Sequence, residues 1–217
     1  MSWTGQGAFI AWHDVDEGQE TEYLHWHSHE HMQERCAIPG FLQGQRYSVI
    51  GTRPQFLVIY EVEGLTTFSS PAYQERLDNP SEWTRRTMPS LRNMNRSLCR
   101  LILSAGSGTG CYMQTVRFSP GKGRDNEPVE GLRQAVTAWA CEPFLIGAHL
   151  LIADPGLSGT PTGEQHLRGG QDHVADWVLL VEGFQQQAVA ANRSDWLLRA
   201  GAEPDVTTNL YALQHLL

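Results

Sequence analysis

The sequence lacks the long apolar runs, secretion signal and clustered cysteines that mark membrane, secreted and zinc-binding proteins. No stretch reaches the roughly 18–20 apolar residues that a transmembrane helix requires. The N-terminus has neither the basic start nor the apolar core of a signal peptide. The four cysteines form no CxxC pair, so we expect reduced, buried thiols. A cytoplasmic protein without membrane attachment is predicted.

Clustered positive charge is also missing. The 217 residues include 16 Lys and Arg against 24 Asp and Glu, which gives a formal net charge of −8. Because phosphate contacts require a cationic surface, nucleic acid is not expected as a partner. The absence of GxSxG and HExxH removes the usual sequence arguments for a serine hydrolase or a zinc protease.

Apolar runs, turn residues and helix caps divide the chain into two stretches with the same order of elements. The first stretch predicts strands over 8–12, 41–50, 55–62 and 98–104, with a helix over 21–36. A further helical stretch starts at Ser69-Ser70-Pro71, with serine as its cap, and continues to about residue 93 with breaks near Asn79-Pro80 and Pro89. The second predicts strands over 112–118, 144–153, 177–181 and 207–213, with helices over 129–140 and 185–199. The order β-α-β-β-α-β therefore occurs twice, with Gly106–Gly110 as the linker.

Residue matches between the stretches support a duplication. Phe41-Leu42-x-Gly44-x-Arg46 aligns with Phe144-Leu145-x-Gly147-x-His149, and Val62-Glu63-Gly64 aligns with Val181-Glu182-Gly183. This alignment places His149 at the position of Arg46. The second stretch carries an additional segment, 155–172, whose Gly, Pro and Thr content predicts a long surface loop.

These patterns predict an α+β fold of tandem duplicated ferredoxin-like βαββαβ halves, with boundaries at 1–105 and 111–217. An antiparallel sheet with helices on one face leaves its other face uncovered. Two such sheets in one chain can bury those faces against each other as an intrachain α/β barrel. A cavity between the sheets is then the expected place for a small ligand.

One block resembles the first half of dimeric α/β-barrel (ferredoxin-like) proteins, including EthD-like and related uncharacterised bacterial families. It reads Trp26-x-x-x-Glu30-His31-x-x-Glu34-Arg35-x-x-Ile38-Pro39-Gly40-Phe41 and continues to Arg46-Tyr47. The resemblance covers about residues 7–105 and implies the fold. It implies no single activity, because monooxygenases and isomerases share this architecture. Further association into a homodimer is consistent with it.

Alternating histidines are the most distinctive local feature: His25, His27, His29 and His31. On a helix, residues four apart share a face, so the pairs His25/His29 and His27/His31 face different directions. No third metal ligand can be identified, and no metal site is predicted. His31 lies beside an apolar stripe and belongs to the family-like block, so we predict that it acts as a catalytic acid or base. Solvated or packing histidines are the simpler alternative.

Neighbouring strands supply the predicted ligand-binding residues: His27, Arg46, Tyr47, Tyr60 and His149. Arg46 and Tyr47 are adjacent on a strand and must point to opposite sheet faces, so only one can face the cavity. The alternative is that Arg46 pairs with an acid such as Glu61 and that Tyr60 belongs to the core.

Two functional hypotheses follow. The first is a catabolic enzyme of the monooxygenase or isomerase type that acts without a cofactor on a small apolar organic molecule between the sheets. The second is a non-catalytic module that binds a small hydrophobic ligand or serves in assembly. A deep cavity that contains His31 or Arg46 favours the enzyme, whereas a cavity filled by Phe, Leu and Trp side chains favours a purely structural role.

Overall fold

The computed structural model describes residues 3–121, 130–199 and 202–217. The strands are β1 Gly7–Val15, β2 Phe41–Val49, β3 Phe56–Val62, β4 Leu91–Gly106, β5 Tyr112–Phe118, β6 Leu145–Ala153, β7 Trp177–Gly183 and β8 Thr207–Leu216. They form a closed barrel in the order β1-β3-β2-β8-β5-β7-β6-β4 with antiparallel neighbours.

Short helices surround this barrel. They are α1 Glu20–Trp26, α2 Met32–Cys36, α3 Pro71–Asp78, α4 Glu82–Thr87, α5 Glu130–Trp139, α6 Pro155–Ser158, α7 Gly163–Arg168, α8 Gln186–Val189 and α9 Ser194–Arg199. A π-helical turn, His27–His31, joins α1 to α2, and 3-10 turns cover Leu65–Ser69 and Met88–Ser90. No helix in the described ranges is both long enough and apolar enough to cross a membrane.

Each half of the chain contributes one four-stranded sheet with the ferredoxin-like order. The first sheet runs β4-β1-β3-β2 and the second runs β8-β5-β7-β6. Pairing of β2 with β8 and of β4 with β6 closes the barrel. The predicted α+β fold and tandem βαββαβ order are confirmed. The boundaries of the two halves, 1–105 and 111–217, stay a prediction.

The barrel interior is filled by side chains from both sheets. Alternate strand residues point inward and pack into one apolar cluster whose largest members include Trp12, Tyr47, Leu57, Met113 and Tyr211. An eight-stranded barrel is narrow enough to be filled in this way. The ligand cavity expected between the two sheets is therefore replaced by packed core.

Outward-facing residues of the same strands are also buried, because helices cover the barrel. In β1, Ile10 and Trp12 point inward, whereas Phe9, Ala11 and His13 face the helices of the first half. Burial on both faces explains why this strand reads as a nearly continuous apolar run rather than an alternating one.

The sequence alignment of the two halves is out of register. Gly44 pairs with Tyr60, and a Cβ there would touch Cys36 and Met32 on the helical side. Gly147 pairs with Glu182, and a Cβ there would touch His149 and Glu182 inside the barrel. A slip of one residue moves a strand side chain to the other face. His149 is therefore not the counterpart of Arg46, which lies on the helical face.

The two Val-Glu-Gly matches are shifted as well. Glu61 accepts a hydrogen bond from the backbone N–H of Gly5 at 2.5 Å, and Glu182 accepts one from Gly110 at 2.7 Å. These two buried glutamates are structurally equivalent, whereas Glu63, which the sequence aligns with Glu182, is exposed. Because the Glu61 carboxylate accepts hydrogen bonds from the backbone, it is not the partner of Arg46.

Three further expectations need correction. The helix predicted over 185–199 is split into α8 and α9. The segment 155–172 contains α6 and α7 and packs on the first half, where Ser158 Oγ accepts the backbone N–H of Leu98 at 2.9 Å. All four cysteines are unpaired, but Cys111 and Cys141 are exposed rather than buried.

Candidate functional site

A small cavity of about 40 Å³, partly open to solvent, lies between the first sheet and the helices that cover it. We call it the histidine pocket. Its floor is the helical face of the sheet, with Phe9, Ala11, His13, Val58 and Tyr60. Its roof and walls are Tyr23, Trp26, His27, His31, Met88, Leu91, Met94, Arg96, Thr162, Glu164 and Arg168.

The π-helical turn determines which histidines enter the pocket. The backbone N–H of Met32 bonds the carbonyl of His27, five residues earlier. His27 and His31 are buried with ring centroids 5.7 Å apart, whereas His25 and His29 are exposed. The prediction of two pairs on different faces is confirmed. π-turns inside α-helices are often found at functional sites.

Hydrogen bonds fix the protonation of His27. Arg46 Nη1 donates to His27 Nδ1 at 3.1 Å, so Nδ1 must be the unprotonated nitrogen. The remaining proton is then on Nε2, which lies 3.4 Å from the Tyr60 hydroxyl. Burial holds the pKa of His27 well below its usual value, and the charges of His31 and Arg46 act in the same direction. His27 is therefore a neutral hydrogen-bond donor.

His31 is differently placed. Its ring packs on Trp26 with centroids 4.3 Å apart. Burial, followed by the positive charges of Arg35 and Arg168, holds the pKa of His31 well below its usual value. At neutral pH His31 is therefore an uncharged imidazole with one unprotonated nitrogen, and burial and the two arginines disfavour its protonated form.

His13 and Tyr23 are buried polar groups without partners. Burial and then Arg168 lower the pKa of His13 to about 3. Among the described residues, neither ring nitrogen of His13 nor the Tyr23 hydroxyl has a hydrogen-bond partner, although the two rings lie 5.2 Å apart. An unsatisfied buried group costs about 1–3 kcal/mol.

Neither His13 nor Tyr23 is among the residues that the sequence predicts for the site. The available signal was strand alternation, which places His13 on the same face as Phe9 and Ala11 once the face toward the helices is known. Sequence alone does not say which face that is.

Part of the pocket wall comes from the second half of the chain. Glu164 of α7 forms a buried ion pair with Arg35 of α2. Arg168 donates to both carboxylate oxygens of Asp172 at 2.8 Å and lines the cavity. The segment predicted as a surface loop therefore covers the pocket of the other half.

The predicted site residues separate into two groups. His27, His31 and Tyr60 line the pocket, and Arg46 lies beside it through its bond to His27. Tyr47 and His149 point elsewhere and do not line this pocket, so their ligand-binding role stays a prediction. Tyr47 lies inside the barrel and donates to Gln45 Oε1 at 2.7 Å.

His149 belongs to the inward face of the second sheet. Its Nε2 lies 2.9 Å from Glu182 Oε1, and its Nδ1 lies 2.9 Å from Ser104 Oγ. The helical face of that sheet is covered by an apolar cluster that includes Val136, Trp139 and Leu197. The two halves share a fold but differ at the face where the first half has its pocket.

The described residues contain no group of three or more His, Cys, Asp or Glu side chains arranged to hold a metal ion. Within the pocket, the imidazoles of His13 and His31 are the groups that could donate a nitrogen to a ligand.

Three solved structures are similar to this chain along its whole length. An anthrone oxidase-like protein superposes with a TM-score of 0.66 at 11% identity, covering 100% of this chain and 95% of that one. A candidate monooxygenase from Fusobacterium nucleatum gives a TM-score of 0.61 at 10% identity, with 98% and 94% covered. Another, from Lactobacillus acidophilus, gives 0.60 at 9%, with 98% and 95% covered.

No family model and no curated protein matches the sequence. Identities this low demonstrate a shared fold and leave activity open. A specific relationship to EthD-like proteins stays a prediction. The eight-stranded barrel, its strand order and these similar structures together show that the chain has the fold of the dimeric α/β-barrel, ferredoxin-like superfamily.

Proposed function

We propose that this chain is an enzyme that removes a proton from a small, planar, largely apolar organic molecule bound in the histidine pocket. The reaction is of the monooxygenase or isomerase type and uses no bound cofactor. The observation that carries the proposal is the set of three buried histidines in an apolar cavity, one of which, His13, has no partner among the described residues.

The lining suits such a substrate. Phe9, Trp26, Met88 and Met94 offer apolar and aromatic surface, while a few polar side chains converge in the same cavity. Ligand sites commonly combine mostly apolar walls with a small number of placed polar groups. In this proposal a planar ring system lies between the sheet and the helix.

His31 is the proposed base. Its neutral imidazole takes a proton from an activated carbon of the substrate, and the electron pair left behind delocalises onto the substrate oxygen. His27 Nε2–H and the hydroxyls of Tyr23 and Tyr60 can donate hydrogen bonds to that oxygen. Donors that are already in place stabilise developing negative charge more effectively than water does.

Two fates of the carbanion distinguish the reaction types. In an isomerase, the proton returns to a different carbon. In an oxygenase, the carbanion of a methylene group forms a carbon–oxygen bond with dioxygen, and the peroxide takes up the proton. Breakage of the oxygen–oxygen bond then releases water, which contains the second methylene hydrogen, and leaves a carbonyl. The oxidase and monooxygenase names of the similar structures support the oxygenase.

Anthrone, which has one activated methylene, is the probe for this reaction. We expect the protein to accelerate dioxygen uptake and quinone formation from anthrone. The His31→Gln variant should lower kcat about a hundredfold, the low end of typical general-base contributions. The measurement is dioxygen consumption with an electrode, combined with the absorbance of the quinone.

The matched control is His29→Gln, which changes an exposed histidine in the same helical turn and should leave the rate unchanged. Equal rates for the wild type and His31→Gln would reject His31 as the base. If anthrone bound without any acceleration, the alternative of a non-catalytic module for small hydrophobic ligands would replace the enzyme.

An apolar organic ligand, a homodimeric assembly and a cytoplasmic location belong to the same proposal. The assembly is tested by sedimentation of the purified chain, whose monomer has a mass of 24.3 kDa.

A further inference from the structure

Arg96 is the charged residue of the histidine pocket whose charge is not balanced. The other charged groups in its lining are neutralised, since Glu164 pairs with Arg35 and Arg168 pairs with Asp172. Among the described residues, no carboxylate lies within ion-pair distance of Arg96, although this side chain is buried. A buried charge is normally paired, so this one indicates a missing anion.

The hydrogen bonds of Arg96 lead to the same conclusion. A guanidinium has five N–H donors. Within the described residues, the Arg96 guanidinium makes one hydrogen bond, from Nη1 to the carbonyl of Ser158 at 3.1 Å, and its centre lies 5.7 Å from the Phe9 ring centroid. This contact with Ser158 orients the group, and Arg96 lines the pocket.

Strand register locates Arg96 relative to the unpartnered pair His13 and Tyr23. Arg96 pairs with Ala11 across β1 and β4, and His13 lies two residues beyond Ala11 on the same face. Two residues along a strand span about 7 Å. Arg96 and His13 are therefore diagonal neighbours that enter the pocket from adjacent strands, with the Arg96 guanidinium lying toward Phe9.

We propose that the ligand of the histidine pocket carries an oxyanion on its ring system, either a carboxylate or an ionised hydroxyl, and that Arg96 binds it. This deepens and rests on the proposed function, because it names the class of molecule that the same pocket accepts. Arginine suits the role, since its planar fork can donate two parallel hydrogen bonds to a carboxylate.

Binding of three naphthalene probes tests the assignment without any turnover. Naphthoate carries a carboxylate, naphthamide is its uncharged match in shape, and naphthol can lose a proton when bound. We expect naphthoate, or naphthol bound as its phenolate, to bind at least about tenfold more tightly than naphthamide. Calorimetry gives the affinities, and the red-shifted absorbance of naphtholate distinguishes the ionised hydroxyl from the carboxylate.

Arg96→Met should abolish this preference, and Arg96→Lys should retain part of it. The control Arg92→Met removes an exposed arginine from the same strand and should retain all of it. Three results would overturn the assignment. Naphthamide could bind as tightly as both other probes, all three probes could fail to bind, or the preference could be unchanged in Arg96→Met. The comparison of naphthoate with naphthamide needs only the wild-type chain, so it stands even if Arg96→Met does not fold.

The binding test of the Arg96 site can be distinguished from the activity test of the proposed enzyme. A preference for the anion without dioxygen uptake would support the Arg96 site and reject the oxidation. Oxidation of anthrone together with equal affinity for charged and uncharged probes would support the enzyme and reject the Arg96 site.

Discussion

Lowering the pH from about 7 to about 5 is expected to remove about 2 kcal/mol from the free energy of unfolding through His13 alone, and His27 and His31 change it in the same direction. His13, His27 and His31 all have pKa values lowered by burial, that of His13 to about 3. In the unfolded chain, an imidazole titrates near pH 6.5.

The sign follows from proton counting. Below about pH 6.5 the unfolded chain binds a proton at each of these imidazoles, whereas the folded chain leaves them neutral. Acid therefore favours the unfolded state, and the contribution to stability is fully present only above the unfolded pKa. For a domain with about 5–15 kcal/mol of total stability, this loss is a large fraction.

Urea denaturation at the two pH values measures the effect. In the variant His13→Phe, which keeps an aromatic ring next to Phe56 and Tyr23, the difference between pH values should shrink by about 2 kcal/mol. The variant His25→Gln changes an exposed histidine of α1 and should leave the difference intact. A pH dependence in His13→Phe equal to that of the wild type would contradict the assignment of a neutral, buried His13.

The variant Glu164→Gln is expected to destabilise the fold by about 3 kcal/mol. It removes the charge that balances Arg35, whose side chain is 6% exposed. Burial works to lower the pKa of the Arg35 guanidinium, and the Glu164 carboxylate raises it above its usual value. Without that carboxylate, a positive charge stays buried between α2, the Tyr73 ring and the segment that covers the pocket.

Two controls make this prediction specific, with stability measured by urea denaturation. Glu34 lies on α2 like Arg35, and it forms a more exposed ion pair with Arg76 of α3. Glu34→Gln breaks that pair and should cost no more than about 1 kcal/mol. Replacing Arg35 and Glu164 together by methionine should recover most of the loss, because an apolar pair leaves no charge unpaired. Equal losses in Glu164→Gln and Glu34→Gln would show that α7 does not bury Arg35 in solution.

Much of the fold could be predicted from local signals. Ser70 and Pro71 start α3 as expected, with Ser70 Oγ accepting the N–H of Tyr73 at 3.2 Å. The break near Asn79 and the hairpin of β2 and β3 also occur where turn residues indicate them. Capping and turn formation depend on neighbouring residues, so the sequence carries them directly.

The candidate site could be predicted only in part. His27, His31 and Tyr60 belong to the pocket, because helix periodicity and the family-like block both indicate the correct segment. Tyr47 and His149 do not, since strand alternation identifies two faces without saying which one borders a cavity. The shift between Gly44 and Gly147 shows how a one-residue error in register exchanges those faces.

By itself, the sequence determined the order of elements, the duplication and the histidine-bearing helix, because these depend on composition and spacing along the chain. Tertiary structure decided three other features: the filling of the barrel, the position of the pocket on its outer face, and the burial of His13 beneath Tyr23. It also decided that residues 155–172, a loop by composition, fold back to place Glu164 against Arg35. These features depend on contacts between residues distant in the chain, such as the 129-residue separation of Arg35 and Glu164, and local patterns carry no record of them.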